Sequence, residues 1–366
     1  MKKHILLFTS LLILQIIISS VVVAQLNTVG NFISAGTNDA TKLLGAYLKP
    51  YANAFGADLN GGWYNTAKVH KTLGFDLTFT INTAIVPKAD KSMDVTQLGL
   101  NYTLPPVGNI MAPTIAGKNE KGPQLNYTTT VGGKTVPITS FNTPKGTGVG
   151  VIPAPMIQLG IGIVKETEII GRYVPKMSVL DYGSVDMWGF GIKHSLKQWI
   201  PGIKSAPFFH LSFLGGYTQL RANSNLSLKS AFYSDALGAG NVDIQTTSTF
   251  DNQKMEMIVK GMTFNILASF DFPVVSLYAG AGISNTKTTL KLKGDYPMPN
   301  GVNAGKVVIT DQKDPLSITM KSMDGSPTKP RLNGGIKFKF AIITLHFDYT
   351  YANYSVVTAG LGISVR

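Results

Sequence analysis

The stretch RLNGGIKFKFAIITLHFDYTYANYSVVTAGLGISVR, residues 331–366, alternates apolar and polar side chains through three successive runs. Leu332, Ile336, Phe338 and Phe340 share one parity. Ile343, Leu345, Phe347, Tyr349 and Tyr351 share the next, and Val357, Ala359, Leu361, Ile363 and Val365 the last. Lys337, Lys339, Thr344, His346, Asp348, Thr358 and Ser364 fall on the opposite faces. A period of two belongs to a strand with one apolar and one polar face. A soluble sandwich and a membrane barrel both show it, and they differ in which face meets the surroundings. Pairing Phe340 with Ile343 and Phe338 with Leu345 keeps the apolar sets together. It also sets Lys337 opposite His346, with Asp348 diagonal to Lys337. Pairing Tyr349 with Val357 and Phe347 with Ala359 does the same for the next hairpin. A slip of one residue would reverse every side chain.

The other end of the chain indicates the compartment. Lys2 and Lys3 precede an apolar run from Ile5 to Val23, and Ala24 follows before Gln25. A charged start, an apolar stretch and a small-residue site read as a secretory signal peptide, residues 1–24, cleaved after Ala24. With no cysteine in the chain, disulfides and thiolate metal sites are excluded. Beyond Gln25 no apolar run reaches the length of a helical membrane span. The formal net charge of +13 fits anionic lipid or anionic solutes better than nucleic acid in an exported chain.

Between these ends lies a ladder of strands. Gly74–Val86 carries Phe75, Leu77, Phe79, Ile81 and Ile85 on one face and Asp76, Thr78, Thr80 and Asn82 on the other. Further strands are expected near residues 155–165, 168–174, 186–196, 208–221, 256–270 and 274–292. The links at 166–167, 271–273 and 341–342 are very short. The alternate ones, at 87–154, 175–185, 222–253 and 293–330, are long and rich in Gly, Pro, Asn and Thr. Short turns at one end and long loops at the other mark outer-membrane barrels. The expected fold is therefore all-β: an antiparallel transmembrane β-barrel of about twelve strands, roughly ten to fourteen. One extra strand is expected at Val95–Leu104, with a partner within Leu125–Ile138, either in the barrel or as a separate hairpin. Ahead of the barrel (residues 73–366), residues 25–72 read as a helical plug in the lumen or a periplasmic segment packed on the barrel end. Leu44, Tyr47, Leu48, Tyr51 and Phe55 fall at helical spacing, Asp39 is placed to cap the start, and Pro50 is expected to kink or split the helix.

Motifs for chemistry are sparse. His70, His194, His210 and His346 show no metal spacing, and the Gly-x-Gly pairs at 160/162, 189/191, 280/282 and 360/362 lie in strands, where they relieve crowding in a curved sheet. No catalytic, cofactor or metal site is expected, and no enzyme. The polar parity supplies the lumen-lining candidates Asp76, His210, Lys337, Lys339, His346 and Asp348, either as a structural network or as a path for solute.

Three stretches, AYLKPYANAFGADLNGGWYNTAKVHKTLGFDL (46–77), PAPMIQLGIGIVKETEIIGRYVP (153–175) and GFGIKHSLKQWIP (189–201), resemble an uncharacterised exported family of Bacteroidota known only as a domain of unknown function. The run GWYNTAKVHK is the most specific. The order of apolar segment, KETEIIGRYVP and GFGIKH is more distantly similar to outer-membrane barrels of the long-chain fatty-acid transporter (FadL-like) type. That resemblance implies a hatch at residues 38–72 and a channel for small or hydrophobic solutes in the outer membrane. The alternative is a non-transporting barrel serving adhesion, secretion or support through loops 87–154 and 222–253. Expected partners are outer-membrane lipid, the barrel assembly machinery and a small or hydrophobic solute. Such barrels usually end in an aromatic residue, whereas this sequence ends Val365-Arg366.

Overall fold

In the computed structural model, residues 30–101, 110–131, 134–179, 183–229, 233, 238–321 and 328–365 are described. The expected signal peptide lies outside them. Ten strands close into a barrel: β1 (Phe75–Ile85), β2 (Val151–Ile163), β3 (Thr167–Val179), β4 (Gly183–Ser195), β5 (Phe209–Asn225), β6 (Lys254–Asp271), β7 (Val275–Lys293), β8 (Thr328–Phe340), β9 (Ile343–Tyr351) and β10 (Val356–Val365). Each pairs antiparallel with its neighbours in the chain. The seam is β1 on β10, running from Phe75 opposite Val365 to Ala84 opposite Val356. Closure leaves the wall no free edge. Lys337 stands opposite His346, Phe338 opposite Leu345 and Tyr349 opposite Val357, the register that the alternation alone dictates.

The wall is inside out relative to a soluble protein. On β1, Asp76, Thr78, Thr80 and Asn82 are buried, while Phe75, Leu77 and Ile85 are exposed. Leu361 is 57% exposed, and Phe264, Ile266, Leu277, Ile283, Phe347 and Ile157 share its outward direction. Between Met262 and Phe270 the outward face of β6 stays apolar. That distance is about 26 Å along the strand at ~3.3 Å per residue, or about 20 Å of height once the strand tilts by roughly 40°. Only hydrocarbon makes such a belt favourable, which identifies a transmembrane barrel.

Ten strands sit at the lower end of the expected range, for local reasons. Val95–Leu98 forms a 3-10 turn, capped by the Asp94 side chain on Thr96 N–H, rather than part of a strand. The hairpin Gln124–Val131 with Lys134–Asn142 forms its own two-stranded sheet outside the barrel. The expected long loop at 175–185 is mostly strand, because β3 runs to Val179 and β4 starts at Gly183, with a register shift between Val174 and Met177. An eleventh strand, Leu316–Lys321, pairs with the upper part of β7 beyond the reach of β8. A three-stranded sheet of Val242–Gln245, Lys306–Lys313 and Asp295–Asn303 completes the loop end.

A 24-residue helix, α1 (Thr37–Asn60), enters from the loop end and descends inside the wall. It contains Pro50 without splitting. Pro50 deprives the Ala46 carbonyl of its donor. Next to that gap Ile115 N–H donates to the Tyr47 carbonyl, and packing on several sides holds the helix together. Asp39 does not cap the helix. Gly36 is the N-cap, and Asp39 instead accepts from the Asn101 backbone and side-chain nitrogens at 2.6 and 3.0 Å. Above the belt, Leu43, Leu44, Tyr47 and Tyr51 join Phe32, Ile115, Leu125, Phe141, Leu290 and Ile318 in an ordinary apolar core. Tyr354 ties the β9–β10 loop to the β1–β2 loop through Asp90 at 2.6 Å; burial raises its phenol pKa above the ordinary value, and the Asp90 hydrogen bond and charge add to that.

Leu361→Arg should cost about 2–4 kcal/mol of folding free energy in phospholipid vesicles, since its side chain faces the middle of the belt. Thr358→Arg on the opposite face of the same strand should instead fail by displacing Asn82. Reversible unfolding in vesicles measures both, and equal tolerance of Leu361→Arg would place this face in water.

Candidate functional site

The lumen holds the strongest concentration of buried polar chemistry in the molecule. α1 ends inside it, and a helix end leaves carbonyls without donors. Two arginines from opposite parts of the wall meet them. Arg172 on β3 donates to the Leu59 carbonyl at 3.0 Å and the Gly61 carbonyl at 2.7 Å. Its Nε donates to Gln158 at 2.8 Å, and its guanidinium lies 3.6 Å from the centre of a Trp63 ring. Arg331 on β8 donates to the Asn60 carbonyl and, at 3.2 Å, to Thr350 Oγ1. Asn82 donates to the Asp58 carbonyl at 2.7 Å and accepts from Thr358 at 3.0 Å. Cations at a helix C-terminus also complement its dipole. Asp58 itself is fully buried, with the Ala84 backbone N–H beside its carboxylate.

Past Gly61 the chain runs extended toward the short turns. Gly62 takes φ 62 against Asn82, a conformation and a clearance that suit glycine. Lys337 donates to Asn65 at 2.8 Å and lies 4.0 Å from Asp76, whose carboxylate also accepts from Thr78. Thr66 donates to Asp271 at 2.7 Å, and Ala67 N–H to Ser269 at 3.1 Å. His70 contacts Glu168 at 2.8 Å through Nδ1 and Ser364 at 3.1 Å through Nε2. Lys193 lies 3.2 Å from the same Glu168. Tyr278 and Asn333 donate to the two oxygens of Asp348 at 3.0 and 2.7 Å.

Of the sequence candidates, Asp76, Lys337, His346 and Asp348 are buried in the interior. Both ring nitrogens of His346 lack partners. His210 and Lys339 are half-buried near the turn end of β5 and β8. The sequence reading missed Arg172, Arg331, Glu168 and Lys193. Each falls on the polar parity of its strand, which was the available signal. Their partners lie far away in the chain, so parity alone does not single them out. The strand glycines also have a more specific role than easing curvature. A Cβ at Gly191 would come 2.8 Å, and one at Gly216 2.6 Å, from the Trp63 ring. Gly280 leaves space for Tyr64, and Gly162 for the carbonyls of His70 and Lys71.

At the loop-end half, the interior changes character. Leu59, Met156, Met187, Leu220 and Val259 form an apolar cluster, and Phe55, Val174, Val185, Ala222 and Met257 beside it stay half-exposed. α1 leans on β1, β2, β5, β6 and β7, and packs far less on β3 and β4. The half-exposed apolar side chains therefore lie on the side of the interior that the helix covers least.

Arg172→Ala should destabilise the protein by about 3 kcal/mol, because it removes the donors to the Gly61 carbonyl and Gln158 together and leaves the Leu59 carbonyl only Thr218 at 3.4 Å. Arg172→Lys should fall between, keeping the charge but losing the fork. Thermal unfolding in detergent, followed by gel mobility, gives the ranking. Gly216→Val should cost about 1–3 kcal/mol by overpacking Trp63 and should open residues 61–73 to protease. Gly334→Ala, with open space around its Cβ, is the matched control. Equal protease resistance of the two variants would refute the slot.

Solved barrels with related layouts differ widely in what they do. Ail, the attachment invasion locus protein of Yersinia pestis, is 11% identical, with 57% of this chain and 95% of that one covered and a TM-score of 0.24. The outer membrane protease OmpT from Escherichia coli is 7% identical, with coverage of 80% and 96% and a TM-score of 0.29. The monoaromatic hydrocarbon channel TodX, as a deletion mutant, is 11% identical, with coverage of 81% and 67% and a TM-score of 0.23. Likenesses of this size carry no argument about activity. No curated protein matches. The family model described as "Family of unknown function (DUF6588)" matches residues 1–365, and the chain belongs to that family.

Proposed function

We propose that this protein is an outer-membrane channel for small apolar solutes, with residues 38–72 as its hatch. The observation that carries the reading is the set of half-exposed apolar side chains inside the wall beside α1, Phe55, Val174, Val185, Ala222 and Met257. A surface of this kind inside a barrel gives an apolar solute a place to leave water. Below it the extended run 62–73 is held by an apolar cluster around Trp63, Tyr64 and Ala67 together with hydrogen bonds and ion pairs, so opening the hatch would require both to give way. In this reading the signal peptide exports the chain, the barrel assembly machinery inserts it, and the long loops face outward. No catalytic role is proposed. A second reading, a non-transporting envelope barrel for adhesion, secretion or support, is favoured by the folded sheets at the loop end.

The cysteine-free sequence gives a direct test. Thr66 Oγ1 and Ser269 Oγ lie 3.1 Å apart, so Thr66→Cys with Ser269→Cys should form a disulfide between hatch and wall. In proteoliposomes loaded with a reporter, the oxidised double variant should take up a small aromatic hydrocarbon at least about tenfold more slowly than wild type. Reduction should restore the rate. Unchanged uptake in the oxidised form, or no wild-type uptake above empty vesicles, would leave the loop-based reading.

A further inference from the structure

We propose that Lys260 and Lys287, on the outer wall at the loop-end margin of the apolar belt, bind the phosphate of a phosphorylated lipid headgroup. The two residues stand directly opposite one another in the β6–β7 register, and both are exposed. Lys321 takes the register position on the other side of Lys287. Three lysines therefore occupy one row across three adjacent strands, ~4.8 Å apart. Like charges opposite one another on a sheet are destabilising unless something neutralises them.

Most neighbouring charges on this face have acidic partners. Arg221 stands opposite Asp186 and lies 3.9 Å from Glu256. Lys291 stands opposite Glu256, and Lys293, opposite Lys254, binds Asp314 at 3.0 Å. Among the described residues no acidic partner is recorded for Lys260 or Lys287. Lys254, farther toward the loops, shares that lack, and Lys260 and Lys287 are the pair that sits at the margin of the apolar belt. The rim elsewhere is different in kind. Outward positions near the loop ends of the other strands include Tyr173, Trp188, Tyr349, Tyr351 and Val357; Asp186 and Arg221 face one another there, and Lys176 is exposed beside the β3 register shift. Aromatic rings at that level are the general anchors of a barrel, whereas two uncompensated lysines occupy one sector.

Depth selects the occupant. Met262, the residue on β6 just inside Lys260 on the same face, is exposed and apolar, as is Phe264 below it. The lysine stems can lie along that surface while the ammonium groups reach the headgroup level. An anion bound there shares its position with lipid phosphate, and its acyl chains would continue down the apolar wall. A soluble anion would lack the second half of that contact.

The test uses the full protein in phosphatidylcholine nanodiscs doped with a phosphorylated lipid A, with native mass spectrometry of retained lipid. Near-surface lysines contribute about 1 kcal/mol each, so Lys260→Gln with Lys287→Gln should lower retention of the phosphorylated lipid about tenfold or more. Arg221→Gln, whose charge is already compensated, should leave retention near wild type. Heat-modifiable gel mobility checks that each variant is folded. Retention unchanged in the double variant would overturn the proposal. So would equal loss with Arg221→Gln, or equal binding of inorganic phosphate or an anionic polysaccharide in place of lipid.

Discussion

A helix that ends in the middle of a barrel creates a problem that water cannot solve. The carbonyls of Asp58, Leu59, Asn60 and Gly61 are buried, and a buried carbonyl without a donor costs about 1–3 kcal/mol. Arg172, Arg331 and Asn82 answer it from three places in the wall. The guanidinium plane suits the task, since its fork can reach two carbonyls at once. Burying two cations is itself costly, so the arrangement is stable only as a set: helix end, Trp63, Gln158 and both arginines. The position of α1, the path of residues 61–73 and the slots cut by the wall glycines all follow from that set.

The molecule answers to two solvents. At the belt the wall turns apolar side chains to hydrocarbon and gives its interior to Thr, Asn, Asp and Lys. Above the belt the polarity reverts, and α1, the 110–147 loop and the upper part of β7 share a core like that of a water-soluble domain. α1 passes through both regimes. Its upper turns are held by apolar contact and its lower end by directional hydrogen bonds. The half-exposed apolar side chains of the interior lie where the two regimes meet on the β3–β4 side.

Period-two alternation is a local signal, and for that reason it made the three C-terminal strands legible down to individual cross-strand pairs such as Lys337 with His346. The belt and its polarity follow from the same parity. The helical spacing of Leu44, Tyr47, Leu48 and Tyr51 was equally readable. Pro50 misled because packing around α1 outweighs the loss of one hydrogen bond. Val95–Leu98, the first part of the expected strand 95–104, misled because Asp94 hydrogen-bonds the Thr96 N–H and turns the chain there; residues 102–104 lie outside the described residues. The lumen network was legible only in part. Asp76 and Asp348 announce themselves as charges in otherwise apolar strands. Glu168 and Arg172 do so too, yet their meaning depends on His70 and Leu59, about a hundred residues earlier in the chain. Glycines such as Gly216 look like sheet punctuation until Trp63 is placed above them.

The seam between β1 and β10 has a consequence for how the molecule is made. Residue 73 passes directly from the lumen into β1, and β1 has no second neighbour until β10 arrives from the far end of the chain. The interior segment is thus translated before any of the wall that surrounds it. Threading a finished helix through a shut ring whose glycines fit closely over Trp63 would require undoing the ring. The economical route is to wrap the sheet around a segment already lying against β1 and β2, and to shut the cylinder last. Closure then seals in what the chain laid down first, and the pairing of Phe75 with Val365 becomes the final stitch of assembly.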